Sequence, residues 1–327
     1  MPSIYTHTVF AYDVKNKLNK NTQILIEQNK RLYELFSQSF DNLYYYNFLS
    51  LKKGKHIRNL AYYAHTHKTQ KYIINIINFI KDNNLKNNSD IMCYLYGTIN
   101  HYISDSTLHP YITYKTGRFS SERKKDTKKY LGIHTNTEIA LDSFYYHKIT
   151  KKEFKNYKIY KDLCKKVTFS KNLKNTINYA FKETFNINSM GDIFNTSYNQ
   201  SYYVYRILMY DPFGIKLFAY KIIDFLLPNS TMKLASYSLH KEPVSNSFFN
   251  KKHHYWCNPT DMNIISYESW EDVYKKAINK AVILINNINL YFENKITEKK
   301  LLKLIGNNCY SSGLDCSKKR IMQYFEF

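Results

Sequence analysis

The chain is expected to fold as an all-α protein, a multi-helix single domain, and three observations carry that expectation. Apolar residues recur at three- and four-residue intervals over much of the 327 residues, the spacing that lines one side of an α-helix. The length and a hydrophobic content of 44% suffice for one large core. Two short stretches place His and acidic residues at i, i+4 and i+8, a row that a helix stacks on one face.

In chain order, the opening "MPSIYTHTVFAYDV" lacks a basic stretch, an apolar stretch and a small-residue cleavage site. No secretory signal is predicted, and a cytoplasmic location is expected. "TQILIEQNKRLYELF" and "QKYIINIINFI" read as amphipathic helices. The next helix, around "DIMCYLYGTINHYI", can be capped by Ser89 or Asp90 and presents Ile91, Tyr94, Leu95, Ile99 and Tyr102 on its apolar side. Pro110 is expected to stop it. Gly97 costs this helix roughly 1 kcal/mol relative to Ala, so close approach of another helix is expected there. "TEIALDSFYYH", "YRILMYDPFGIKLFAYKIIDFLL" and "WEDVYKKAINKAVILINNI" continue the helical spacing. "IKLFAYKIIDFLL" and "AVILINNINLYF" fall short of the roughly 18 to 20 apolar residues of a membrane span, or are punctuated by polar ones, and are expected to be core helices. Polar segments 111–132, 183–200 and 229–263 are expected to be loops. Without a repeat or a Pro/Gly/Ser linker, the division is a helical domain over 1–302 and a C-terminal arm over 303–327 packing on it.

Five cysteines, Cys93, Cys164, Cys257, Cys309 and Cys316, form an odd set without a Cys-x-x-Cys pair, which predicts reduced thiols rather than a disulfide framework or zinc ribbon. A net charge of +22 points to anionic partners: phosphate esters, nucleic acid or acidic lipid headgroups. The lysines are scattered among Asn, Ile and Tyr, a mixture that AT-rich codon usage also produces, so charge alone does not select among these partners.

The two rows carry the chemistry. "HYISDSTLHPY" aligns His101, Asp105 and His109; "HTNTEIALD" aligns His134, Glu138 and Asp142. Singly, each has an ordinary reading: His109 can complement a helix dipole, and Glu138 can be a solvated acid. Two collinear rows on consecutive helices are hard to explain by packing, because buried charges without a compensating partner are strongly destabilising. Facing helices that present acids and histidines inward build polynuclear metal sites. Nitrogen and oxygen donors without thiolates suit Zn²⁺, with Fe²⁺ or Mn²⁺ as other occupants. Further donors lie upstream: His7, Asp41 in "SQSFDNLYYY", and His65 and His67 in "AYYAHTHKTQKYI". His56, His147 and His240 fit no paired spacing, and the adjacent His253 and His254 are expected to be structural or at a rim. There is no Gly-rich phosphate loop and no nucleophile-elbow motif, which removes NTPase and serine-hydrolase readings.

On these residues the chain resembles the bacterial zinc-dependent phospholipase C family, in particular its signal-less cytoplasmic branch. The resemblance runs through "MPSIYTH", "SFDNLYYY", "AHTHK", "YLYGTINHYISDSTLHPY", "HTNTEIALD", "KKHHYWCNP" and "ESWEDVYKKAINKAVILI". It implies an all-helical fold shared with single-strand nucleases and a site for two to three zinc ions. By position, Asp41, His65, His101 and Asp105 would hold one ion, with Asp105 bridging to a neighbour. His109, His134 and Glu138 would hold a second. His7, Asp105 and the chain's own amino terminus, Pro2 after Met removal, would hold a third. Asp142 would orient a ligand histidine. His65 is preferred to His67 because its distance to "KYI" fits the following helix. Two features differ from the secreted members: Ser39-Phe40 stands where Gly-Pro is usual, and His109 follows Asp105 after only four residues.

The implied activity is hydrolysis of phosphate esters, phospholipase C-like cleavage of a phosphodiester by a metal-activated water with Asp41 accepting the proton. Phospholipid at a membrane surface is the first substrate class; single-stranded nucleic acid or a nucleotide phosphodiester is the alternative. A non-catalytic, metal-stabilised interaction protein is the third reading. "NLYYYNF", "SFYYH" and "NQSYYVYRI" suit a lipid interface or a base-stacking platform, yet in a chain with 33 Tyr and 20 Phe such clusters also fill cores.

Overall fold

The computed structural model describes residues 4–50, 52–120 and 122–326. Among these, fourteen α-helices follow one another: α1 (Ile4–Lys17), α2 (Lys20–Gln28), α3 (Lys30–Phe36), α4 (Lys55–Thr66), α5 (Thr69–Asp82), α6 (Ser89–Thr116), α7 (Lys124–Thr127), α8 (Ile133–Thr150), α9 (Ile159–Asp162), α10 (Lys171–Phe185), α11 (Met190–Tyr203), α12 (Ile215–Leu226), α13 (Trp270–Phe292) and α14 (Glu298–Ile305). A two-stranded antiparallel hairpin, β1 (Trp256–Asn258) and β2 (Asp261–Ser266), is the one sheet among the described residues. The fold is all-α, as the periodicity predicts. None of these helices is long and apolar enough to cross a membrane.

α6 is the axis of the molecule, buried along nearly its whole length and packed by α13, α3, α1, α2, α5, α8 and α10. Its cap is Asn88, one residue before the expected ones, whose side chain accepts from the Ile91 N–H. At Gly97 a Cβ would stand 2.7 Å from Phe36 Cβ and 2.8 Å from the Tyr33 carbonyl oxygen, so α3 is the helix whose close approach the glycine permits.

α6 does not stop at Pro110; it runs on to Thr116. The proline cannot donate to the Ser106 carbonyl, and a proline inside a helix costs about 3 kcal/mol. That local cost is outweighed because both sides of the break are buried. Gly313 of the C-terminal segment lies against the break: with φ +68°, a Cβ there would stand 2.4 Å from the Ser106 oxygen.

All three expected loops are also corrected, and 111–132 holds the end of α6 and the short α7. Within 183–200, α10 continues to Phe185 and α11 begins at Met190. Its asparagines bind backbone: Asn195 Nδ2 donates to the Val167 carbonyl at 2.7 Å, and Asn199 Oδ1 accepts from the Val167 N–H at 2.9 Å. Part of the polar composition there thus goes to amide pairing with backbone. Segment 229–263 is largely irregular but contains β1 and the start of β2.

The larger correction concerns "IKLFAYKIIDFLL". It forms α12, but no residue of that helix is buried. At the C-terminus, α14 spans the 302/303 boundary, and Tyr310 beyond it is buried against Tyr102, His65 and His101.

Candidate metal centre

His101, Asp105 and His109 face one way from α6, as the four-residue spacing requires. α8, which packs on both α1 and α6, brings His134 and Glu138 to the same place. Asp41 arrives on the tight 3₁₀ turn Ser39–Tyr45, against which α4 packs with His65 in its last turn. His7 arrives on α1.

The side chains gather into two groups. In the first, ligand atoms of His7, Asp41, His101 and Asp105 all lie within 4.8 Å of one another, and all four residues are buried. His65 adjoins it, with Nε2 3.1 Å from Asp41 Oδ1 and 3.2 Å from His101 Nε2. The second group is His109, His134 and Glu138. Glu138 Oε1 lies 3.2 Å from His109 Nε2 and 3.1 Å from His134 Nε2. Asp105 faces both groups. Its Oδ1 is 3.3 Å from His7 Nε2, while its Oδ2 is 3.8 Å from His101 Nε2 and 3.5 Å from His109 Nδ1.

Four of the five histidines are aimed by a partner on Nδ1, leaving Nε2 for the interior. His65 Nδ1 meets the Ala61 carbonyl at 2.6 Å, and His7 Nδ1 meets Ser104 Oγ at 3.1 Å. His134 Nδ1 meets Thr116 Oγ1 at 3.1 Å, and His109 Nδ1 meets the Tyr310 carbonyl at 3.1 Å. Partners of this kind fix ring orientation in metal sites. Ser104, Thr116 and Tyr310 were not legible as site residues in the sequence. The sequence signal for two of them is helical spacing: Ser104 lies three residues after His101 and Thr116 seven after His109, which puts both near the inward side of α6.

The donor set fits zinc. Asp41 Oδ2, Asp105 Oδ2, His7 Nε2 and His101 Nδ1 are buried and make no hydrogen bond. Unpartnered buried carboxylate oxygens are costly, and a divalent cation is the partner that satisfies several at once. Burial pushes His101 down to about 4 against the pull of Asp105 and Asp41, so its ring is neutral with a lone pair to offer. Burial would raise Asp105, but His109, His101 and His7 outweigh it and hold the carboxyl well below the usual carboxylate range. Glu138 is likewise held low, burial being outweighed by His134 and His109. Burial would lower His109, but Asp105 and Glu138 together raise it to about 9.

The remaining expected residues fall as follows. His67 is exposed, stacks on Tyr63 at 4.1 Å and lies away from both groups; His65 is the member of the pair at the cluster. Asp142, expected to orient a ligand histidine, accepts hydrogen bonds from the Tyr5 N–H at 3.1 Å, the Thr6 N–H at 2.6 Å and Thr6 Oγ1 at 2.7 Å. It holds the first turn of α1, and so places His7 one residue further on. Pro2 lies outside the described residues. Ser39 takes a φ of +30°, in the region that favours glycine, and its buried hydroxyl has no hydrogen-bond partner. His253 is exposed, its Nδ1 3.0 Å from the Tyr267 carbonyl.

A small cleft between α1, α6 and α8 opens on this centre, with His7, Asp105, His109 and Glu138 beside Phe10 and Trp270. His134, at 24% side-chain exposure, marks the rim of the second group.

No curated protein and no solved structure matches the chain. The family model for zinc dependent phospholipase C matches residues 6–188. That span is more than half of the chain and holds both ligand groups, and the chain belongs to the zinc-dependent phospholipase C family.

Proposed function

We propose that this chain is a zinc-dependent phosphodiesterase that acts on phospholipid, and that the eight ligand-type residues of the two groups hold its ions. The observation that carries this reading is the sharing of Asp105 between a buried group and a group at the rim. Asp41, His65, His101, Asp105 and His7 would hold zinc on the buried side, and His109, His134 and Glu138, with Asp105 adjoining, on the open side. Zinc there supplies Lewis-acid polarisation of a phosphoryl group and a nucleophilic water near neutral pH.

The chain's own groups do the positioning and proton handling. His65 Nε2 engages Asp41 Oδ1, which leaves Asp41 Oδ2 to accept the proton of the attacking water. Enclosure by α1, the Ser39–Tyr45 turn, α4 and α6 excludes bulk water from the buried side and strengthens electrostatic interactions there. His134, partly exposed, leaves the other side open to a phosphate ester. A cytoplasmic location is part of this proposal, on the odd set of five cysteines without a Cys-x-x-Cys pair.

Turnover of a soluble chromogenic phosphocholine diester, of phosphatidylcholine vesicles and of single-stranded DNA, at matched protein and zinc, tests the reading. Phospholipid and diester cleavage that vanishes in Asp105→Ala is the expected result. Cleavage of DNA alone would replace the substrate class with nucleic acid. Full zinc content without any turnover would leave a metal-stabilised, non-catalytic protein.

A further inference from the structure

α12 is built with its polar side inward. Lys216 Nζ donates to the Tyr210 carbonyl at 2.7 Å and to the Arg206 carbonyl at 3.3 Å. Tyr220 donates to the Leu208 carbonyl at 2.9 Å. The Asp224 carboxylate accepts from the Leu234 and Ala235 N–H groups at 2.8 and 3.0 Å. Asp211 receives the N–H groups of Lys216 and Leu217 in the first turn at 3.2 and 2.7 Å. The helix is therefore held firmly, and in one orientation.

The opposite side carries Ile215, Phe218, Ile222, Phe225 and Leu226 at three- and four-residue spacing, all exposed, with Phe218 at 68% and Phe225 at 82%. Phe213 and Leu227 extend the patch at its two ends. Scattered exposed apolar residues need no explanation; a contiguous stripe on an anchored helix marks a surface with an apolar partner.

Charge decides which partner. Lys221 is exposed on the same helix, and Lys124 Nζ reaches the Asn229 carbonyl, just past the end of α12, at 3.4 Å. Lys125, Lys128 and Lys129 follow from the Lys124 segment, exposed, against the acids Glu122 and Asp126. A second copy of the chain would bring these lysines face to face, at an electrostatic cost. An anionic bilayer is complementary to both features: lysines at the headgroups and a Phe/Ile/Leu side in the acyl boundary.

The position of the helix connects it to the metal centre. α12 packs on the 3₁₀ turn Leu234–Tyr237, which packs on α8. Gly132, two residues before His134, abuts that turn, with a Cβ there 2.9 Å from Lys233 Cβ. We infer that α12 is an interfacial helix that seats its apolar side in an anionic phospholipid surface and brings the His134 rim to the headgroups. The use of this docking in catalysis rests on the phospholipid reading above; the docking itself does not.

The test is flotation of the full-length protein with vesicles of phosphatidylcholine containing about one-third phosphatidylserine. Wild type is compared with Phe218→Ser/Ile222→Ser/Phe225→Ser, and hydrolysis of a soluble diester is measured in parallel. The triple variant is expected to lose about a hundredfold in vesicle partitioning while its soluble-diester turnover and melting temperature stay at wild-type values. Lys124→Glu/Lys221→Glu, which leaves the apolar side intact, is expected to lose about tenfold on the same vesicles at low salt. Equal partitioning of wild type and triple variant overturns the inference. So does a wild type that ignores vesicles but sediments as a dimer that the triple variant dissolves. Loss of vesicle binding in the variant, with no diester turnover in either protein, sustains the docking and sinks the phospholipase reading instead.

Discussion

The two ligand groups share Asp105 but are built differently. The buried group draws His7 from α1, Asp41 from the 39–45 turn, His65 from α4 and both His101 and Asp105 from α6. The rim group draws on two helices alone, with His109 from α6 and His134 and Glu138 from α8. A group assembled from four separate elements exists only in the folded chain, so a cation there is bound to the fold as a whole. A group built on two packed helices, with one member partly exposed, would on the proposed reading lose its cation without unfolding the chain and admit a ligand. The difference teaches a division of labour: cohesion on the buried side, access on the open side.

The largest test of that division is Asp105→Ala. Removing the shared carboxylate is expected to lower metal content in both groups and phosphodiester turnover by at least about a thousandfold. Elemental analysis and steady-state kinetics read both effects.

Glu138→Gln sharpens the comparison, because the described partners of Glu138 are His109 and His134 of the rim group. Turnover is expected to fall about a hundredfold, with one ion lost and the melting temperature nearly kept. Equal destabilisation by Glu138→Gln and Asp105→Ala would erase the distinction.

Asp142→Ala acts on the buried group through α1. It frees the N–H groups of Tyr5 and Thr6, and is expected to weaken metal binding by roughly tenfold to a hundredfold by loosening His7, at about 1–2 kcal/mol of stability. A chelator titration of the variant, with the rim ion leaving at wild-type chelator concentration, checks it.

Ser39→Gly is the smallest change and of opposite sign. It relieves a positive φ and removes a buried, unpartnered hydroxyl beside Asp41, and is expected to gain about 1 kcal/mol in denaturant unfolding with metal content unchanged.

The rows on α6 and α8 were legible in the sequence because both follow from helical period alone, and so was the tight contact at Gly97. Pro110 misled because a local stop rule carries no information about burial on both sides of the break. The convergence of Asp41 and His65 on His101 follows from the family resemblance alone, and the hydrogen bonds between Ser104 and His7 and from His109 Nδ1 to the Tyr310 carbonyl span sequence separations that no local pattern encodes. α12 shows a different limit. Apolar spacing announces that a helix has two sides, but Lys216, Tyr220 and Asp224 determine which one turns inward, and their backbone partners become visible only in the fold.

The central claim is that these residues hold zinc in two linked but unequal groups. Elemental analysis of the purified full-length chain, followed through stepwise chelation, tests it most directly. The account predicts at least one zinc for each group, the rim ion leaving first and the buried ion leaving only with a fall in melting temperature. Fewer than one tightly held ion per chain in zinc-replete buffer, or wild-type zinc content in Asp105→Ala, would contradict it.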